Sequence, residues 1–185
     1  MKAFFNSLAY RSLLAGFALV IFPLAVHAAT KEEIDINVEE ALAKFYEESP
    51  AGKRFADRAV GMLVFPKVIK AGIGIGGEYG EGALIVNGQT IDYYNTAAAS
   101  IGFQFGAQVK SQVIMFMTQS ALDIFRNSDG WEAGVDGSVA LVEFGAGGEI
   151  SSNSAQAPII GFIFSNKGLM YNLTFEGSKM TKLNR

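Results

Sequence analysis

The basic side chains Lys53, Arg54, Arg58, Lys67 and Lys70 are the part of this sequence best equipped to hold a ligand. Residues 49–71 set them against a single acid, Asp57, and interleave them with Phe55, Met62 and Phe65. Cations near an anionic lipid surface attract its headgroups, and large apolar side chains beside them can enter the interface. The preceding stretch, residues 31–48, has the opposite sign, with seven acids (Glu32, Glu33, Asp35, Glu39, Glu40, Glu47 and Glu48) against two lysines. The plainer reading of the basic run is therefore a solvated face that pairs with this acidic segment. Exposed pairs contribute at most about 1 kcal/mol each, so such pairing would not prevent headgroup binding.

Most catalytic chemistry is excluded by what is missing. Cysteine is absent, and the only histidine, His27, lies inside a segment read below as a removable leader. Without them there is no Ser-His-Asp or Cys-His machinery, no Cys/His zinc site and no histidine for haem. Residues 98–102 faintly resemble a nucleophile elbow around Ser100, but the first glycine and a histidine partner are lacking. Carboxylate chemistry, through groups such as Glu78, Glu81 and Asp136, and a Ser–Lys dyad are what the residue types leave open. The reading is a protein that is not an enzyme, with no cofactor and no metal.

Two motif matches fail on context. Residues 72–77 fit G-x-G-x-x-G, yet a dinucleotide site needs that loop to open a helix whose N-terminus meets the pyrophosphate. Here Glu78, Tyr79, Gly80, Glu81 and Gly82 follow, with no helical pattern and two carboxylates that would repel phosphate. Residues 125–136 approximate a calcium loop, but Phe125 would occupy the first ligand position. The Asp-Gly pairs there are read as turns.

The elements that position these residues follow from periodicity. Thr30 and Glu33 form a capping-box pattern ahead of Ile34, Val38, Ala41, Leu42 and Phe45 at helical spacing, which predicts a helix to Glu48. Ser49 and Pro50 start a second, short helix reaching about Val60. From Gly61 the period changes to strands: 62–65, 68–79, 83–86, 90–94, 100–110 and 112–117. A turn is expected at residues 80–82 and a hairpin at Asn87-Gly88. A short helix over 120–127 and strands over 137–144, 159–165 and 169–175 complete the chain, with a turn at 166–168 and a loop over 145–157. Gly72, Gly74 and Gly77 are structural candidates, because glycine inside a strand marks a bend or a close backbone approach. Trp131, followed by Gly134 and Gly137, is read as a structural anchor. The fold class is α+β: a largely antiparallel, strongly curved glycine-rich sheet with two N-terminal helices and one short inserted helix.

The first 28 residues read as an address. Lys2 and Arg11 give a basic start, residues 13–26 are apolar, and Val26-His27-Ala28 supplies small residues around a cut. Cleavage is expected after Ala28, with export to the periplasm. The remaining 157 residues suit one domain and carry 13 basic against 18 acidic side chains, a net charge of −5. That balance argues against nucleic acid as a partner.

The glycine-rich run from Gly61 to Leu84 resembles the opening of the SYLF domain family. Further blocks are similar to that family in order: Tyr93 to Gln108, Phe116 to Phe125, Gly130 to Gly137, Lys167 to Met170, and Glu176 to Lys179. The resemblance implies a non-catalytic binding domain whose eukaryotic members bind phosphoinositides or actin filaments. It adds Lys179 to Lys67 and Lys70 as candidates for headgroup charge. The function expected on this basis is recognition of an anionic phospholipid headgroup or an acyl chain at a membrane surface of the cell envelope. A structural or protein-interaction role in an envelope assembly, through the sheet edge, is the alternative, and a protein partner would belong to that reading.

Overall fold

The computed structural model describes residues 29–142, 156–168 and 174–185. The leader, most of the expected 145–157 loop and most of the expected strand 169–175 lie outside the described residues. Three helices and six strands are placed among those described: α1 (Lys31–Glu48), α2 (Pro50–Ala56), β1 (Gly61–Val86), β2 (Gln89–Phe116), α3 (Gln119–Asn127), β3 (Trp131–Glu132), β4 (Ala140–Val142), β5 (Ile159–Gly168) and β6 (Lys179–Lys182). The class is α+β, as the sequence predicts, with the sheet strongly curled into a half-barrel.

Both N-terminal helices begin where their caps dictate. The Thr30 hydroxyl accepts from the Glu33 backbone N–H, and the Thr30 N–H donates to the Glu33 carboxylate, which satisfies two otherwise free groups. Ser49 caps α2 by accepting from the Gly52 N–H at 2.9 Å. The helix α2 ends at Ala56, short of the predicted Val60.

Strands β1 and β2 form one antiparallel hairpin from Gly61↔Phe116 to Val86↔Gln89. Its two-residue turn is Asn87-Gly88, both with positive φ, as the sequence signal predicts. The hairpin does not stay flat. Midway, Ile73 pairs with Phe105 but Ile75 pairs with Ile101, so one skipped residue faces three. Beyond that irregularity the strand folds back over itself. A Cβ on Gly80 would lie 2.7 Å from the Lys67 carbonyl oxygen, although thirteen residues of straight strand would separate the two by about 43 Å.

The predicted turn at residues 80–82 is therefore absent. These glycines answer to tertiary crowding instead, since a Cβ on Gly82 would collide with the Val64 carbonyl oxygen and lie 2.8 Å from the Phe65 ring. Gly72 meets Gly76 backbone in the same way at the bend. Gly74 lies at the register shift, while Gly77 has room, the nearest atom to an added Cβ being 3.8 Å away. Gly82→Ala is expected to cost about 1–3 kcal/mol by overpacking. Gly77→Ala should stay within about 0.5 kcal/mol. Denaturant titration of the two variants checks the contrast.

The fold-over divides the sheet in two. One half joins β1 and β2 to β5, with β4 parallel to β5; the other joins them to β6 and β3. Strand β5 continues through the turn predicted at 166–168, because Lys167 and Gly168 pair with Val109 and Gln108. Side chains alternate between two cores. Leu63, Phe65, Val68, Leu84, Ile114 and Phe116 point to the face closed by α3 and Trp131. Val64, Ala83, Val113, Met115, Phe162 and Phe164 point to the face covered by Ile34, Val38, Ala41 and Phe45 of α1. Helix α1 is thus a lid over apolar surface as well as an acidic face.

Candidate functional site

The sequence-predicted basic residues separate into four places. Lys53 and Arg54 are exposed on α2, where Lys53 pairs with Asp57 at 2.9 Å, and Arg58 stacks over the Phe55 ring with its guanidinium 4.8 Å from the centroid. Lys179 is exposed on β6, beside Gly130. Lys67 is exposed beside α1. Lys70 departs from the surface expectation, being only 6% exposed. Among the described residues, no ion pair joins the acids of α1 to this basic run; Asp35 instead accepts from the hydroxyls of Thr90 and Tyr93 on the hairpin.

Lys67 owes its position to a bulge. The register shifts between Phe65 and Val68, where Pro66 has no N–H to donate, and the Ser111 hydroxyl donates to the Pro66 carbonyl at 2.7 Å. A second shift, between Val109 and Ser111, lies next to Ser165, a non-glycine residue with φ 52°. Both irregularities open towards α1. Between them lies a groove of about 470 Å³ whose walls carry Lys44 of α1, Lys67 of β1, Lys167 of β5, Ser111 and Ser165. One acid, Glu40, shares this lining. Lys44 is 3.6 Å from Glu48, while Lys67 and Lys167 have no ion-pair partner among the described residues. The Ser165 hydroxyl is buried without a hydrogen-bond partner among the described residues. A buried polar atom left unpaired costs about 1–3 kcal/mol, and a strained backbone residue beside it is a feature of binding sites.

A smaller pocket of about 220 Å³ shares Asn37, Pro66 and Lys67 with the groove. Its own lining is more apolar, with Ile34, Ile69 and Tyr79, and also includes Ala29 and Glu81. The arrangement offers three ammonium groups and the unpaired Ser165 hydroxyl at one end and apolar surface at the other, which suits an anionic amphiphile. Sequence reasoning found Lys67 but missed Lys44 and Lys167, which reach the groove from a helix and a strand distant in the chain.

Two other features lie inside the fold. Lys110 and Glu78 form a buried ion pair at 2.8 Å, and Gln112 donates to the second Glu78 oxygen at 3.2 Å. Burial pushes the Lys110 ammonium below the usual lysine range, and Glu78 partly restores it. An apolar cavity of about 550 Å³ lies beside α3, lined by Ala121, Ile124, Trp131, Val139, Pro158 and Ile159 among others. Among the described residues no cluster of acids or histidines could hold a metal ion, and no helix is long and apolar enough to cross a membrane.

Comparison with known families places the second half of the chain. Residues 97–185 match the family model described as Ysc84, Las17-binding protein actin regulator, the family of the SYLF domain. Residues 97–185 thus carry the SYLF-family match, consistent with the resemblance read from the sequence. The match begins in the middle of β2 and includes α3, β5 and β6, so β1 and α1, which complete the sheet and its cover, precede the matched segment. No curated protein matches the chain. The SYLF family is linked to lipid and actin binding. The coarse functional class that this family points to is a binding domain.

Proposed function

We propose that this domain binds an anionic phospholipid in the groove between α1 and the bulged strands. The phosphate would lie among Lys44, Lys67 and Lys167, with the unpaired Ser165 hydroxyl as a donor, and the apolar portion would run towards Pro66, Ile34 and Ile69. The observation that carries the reading is the convergence of three lysines and an unpaired buried hydroxyl on one groove. The family match supports lipid as the ligand class. The leader pattern supports the periplasmic side of the cell envelope as the place of action. The exposed cations Lys53 and Arg54 of α2, and Arg58 just beyond it, assist by attracting the membrane, and Lys179 and Lys70 lie apart from the groove.

The test is co-sedimentation with phosphatidylcholine vesicles with and without phosphatidylglycerol. Lys67→Glu with Lys167→Glu is expected to weaken binding to the anionic vesicles roughly 30-fold or more, at about 1 kcal/mol per lysine removed. Raising salt should weaken the wild type in the same direction. Reversal of Arg54 and Arg58 should cost less. Equal binding by the wild type and the Lys67/Lys167 variant, at matched circular dichroism, would reject the groove. Removing residues 30–48 is not an informative control, because Ile34 and Phe45 of that helix cover the core.

A further inference from the structure

The carboxylate of Glu81, in the lining of the smaller pocket, is crowded with donors. Tyr79 donates its hydroxyl to Oε1 at 2.8 Å, and the Arg185 guanidinium lies 2.7 Å from Oε2. The backbone N–H of Ala29 donates to the same Oε2 at 3.2 Å. Arg185 also donates to the Ala29 carbonyl oxygen. Both backbone polar groups of Ala29 are thus engaged, one by β1 and one by the last residue of the chain. Ala29 is also the residue that the leader pattern marks as first after cleavage, and nothing in that pattern requires its nitrogen to meet a carboxylate.

We propose that the α-ammonium which removal of the expected leader would free on Ala29 forms an ion pair with Glu81, and that this pair, with Arg185, ties Ala29 to β1. The proposal rests on the export reading, not on the lipid reading. Hydrolysis by a leader-removing protease adds water across the Ala28–Ala29 bond, leaving a carboxylate on Ala28 and, at neutral pH, an ammonium on Ala29. One neutral donor becomes three donors carrying a unit charge, and charge-assisted hydrogen bonds are about twice as strong as neutral ones.

The acceptor is ready for that charge. Desolvation raises the Glu81 pKa, but the hydrogen bonds from Arg185 and Tyr79 outweigh it, so the carboxylate is held below its usual range. The Glu33 carboxylate, engaged by the Thr30 N–H, is a further acid near the new terminus, whereas Arg185 and Lys67 are the cations facing it.

Four purified forms test the idea: chains beginning at Ala29 or at a Gly-Ser extension ahead of it, each with Glu81 or with Glu81→Gln. Near pH 6.5 the Ala29 form is expected to melt about 2–4 °C above the extended form. Glu81→Gln should abolish that difference. An α-amino group ordinarily titrates near 7.7–8.0, and Glu81 raises it in the fold. The added stability is therefore complete below about pH 7.7 and lost as pH rises through the raised value. Equal melting of the two Glu81 forms, or a difference that survives Glu81→Gln, would overturn the ion pair. Should the Glu81→Gln variant not fold, NMR titration of the Ala29 amine decides: a value above about 8 supports the pair, and one within or below the ordinary range removes it. N-terminal sequencing of exported protein tests the cut by itself, and a first residue other than Ala29 overturns it. None of these measurements involves lipid.

Discussion

Glu78→Gln is expected to destabilise the domain by about 3–5 kcal/mol, a large share of the roughly 5–15 kcal/mol that a domain of this size has. Glu78 and Lys110 are almost wholly buried, 6% and 1% exposed, and lie 2.8 Å apart. Removing the carboxylate charge leaves an ammonium in the interior with no counter-ion, and buried Lys70, whose charge already lowers the Lys110 pKa, adds repulsion. The introduced amide can still accept from Gln112, so the loss isolates charge from shape. The pH dependence separates this cause from simple misfit. Glu78 raises the Lys110 pKa, so the variant has a folded value still further below that of the unfolded chain. Across the window between that depressed value and about 10.4, the unfolded state binds more protons, and stability rises with pH. Denaturant titrations at pH 7 and pH 9.5 should therefore show the Glu78→Gln deficit shrinking at the higher pH. Adding Lys110→Met should recover most of the loss, since a buried pair replaced by apolar or neutral groups is often neutral in stability. A deficit that ignores pH and survives the second substitution would refute the charge account.

How far these features were legible differs by element, and the differences have physical causes. Helix α1 was fully legible, because its cap, its stripe of Ile34, Val38, Ala41 and Phe45, and its end at Ser49-Pro50 are all local signals. The Asn87-Gly88 hairpin was legible for the same reason. The glycines at 80 and 82 were misread as a turn, because glycine reports crowding without saying whether the neighbour is near in sequence; here the neighbours are Lys67 and Val64. Strand β6 escaped because Lys179, Thr181 and Lys182 are polar and only Met180 turns inward. Lys70 was placed on the surface with Lys67, although alternation after the Pro66 bulge puts it on the same face as buried Val68. That parity was available in the sequence once the bulge was granted. The groove was legible only as Lys67. Its other two lysines depend on the pairing of β5 with β2 and on the docking of α1, which no local pattern encodes.

Trp131→Ala is expected to cost about 3–5 kcal/mol, the range for removing a large buried aromatic side chain. Trp131 is 1% exposed at the start of β3, where it pairs with Met180. Its ring meets Phe125 edge-on at 5.8 Å, and Phe125 in turn packs at 4.9 Å on both Tyr94 and Phe116. The loop closes over it so tightly that a Cβ on Gly137 would lie 2.9 Å from the indole. Because the ring also lines the cavity beside α3, truncation would enlarge an existing void, and the surroundings have little scope to collapse into it. The indole N–H has no hydrogen-bond partner among the described residues, so Trp131→Phe forfeits area but no hydrogen bond and should cost markedly less. Urea titration followed by circular dichroism measures both variants, since Trp131 is the only tryptophan and its removal abolishes the fluorescence signal. The wild-type emission gives an independent readout of where lipid goes. A ligand held among Lys44, Lys67 and Lys167 leaves the indole untouched, and adding anionic vesicles should not shift its emission. A shift on lipid addition, with Trp131→Ala abolishing binding at an unchanged melting temperature, would move the ligand to the cavity under α3 and make Trp131 a contact residue instead of an anchor.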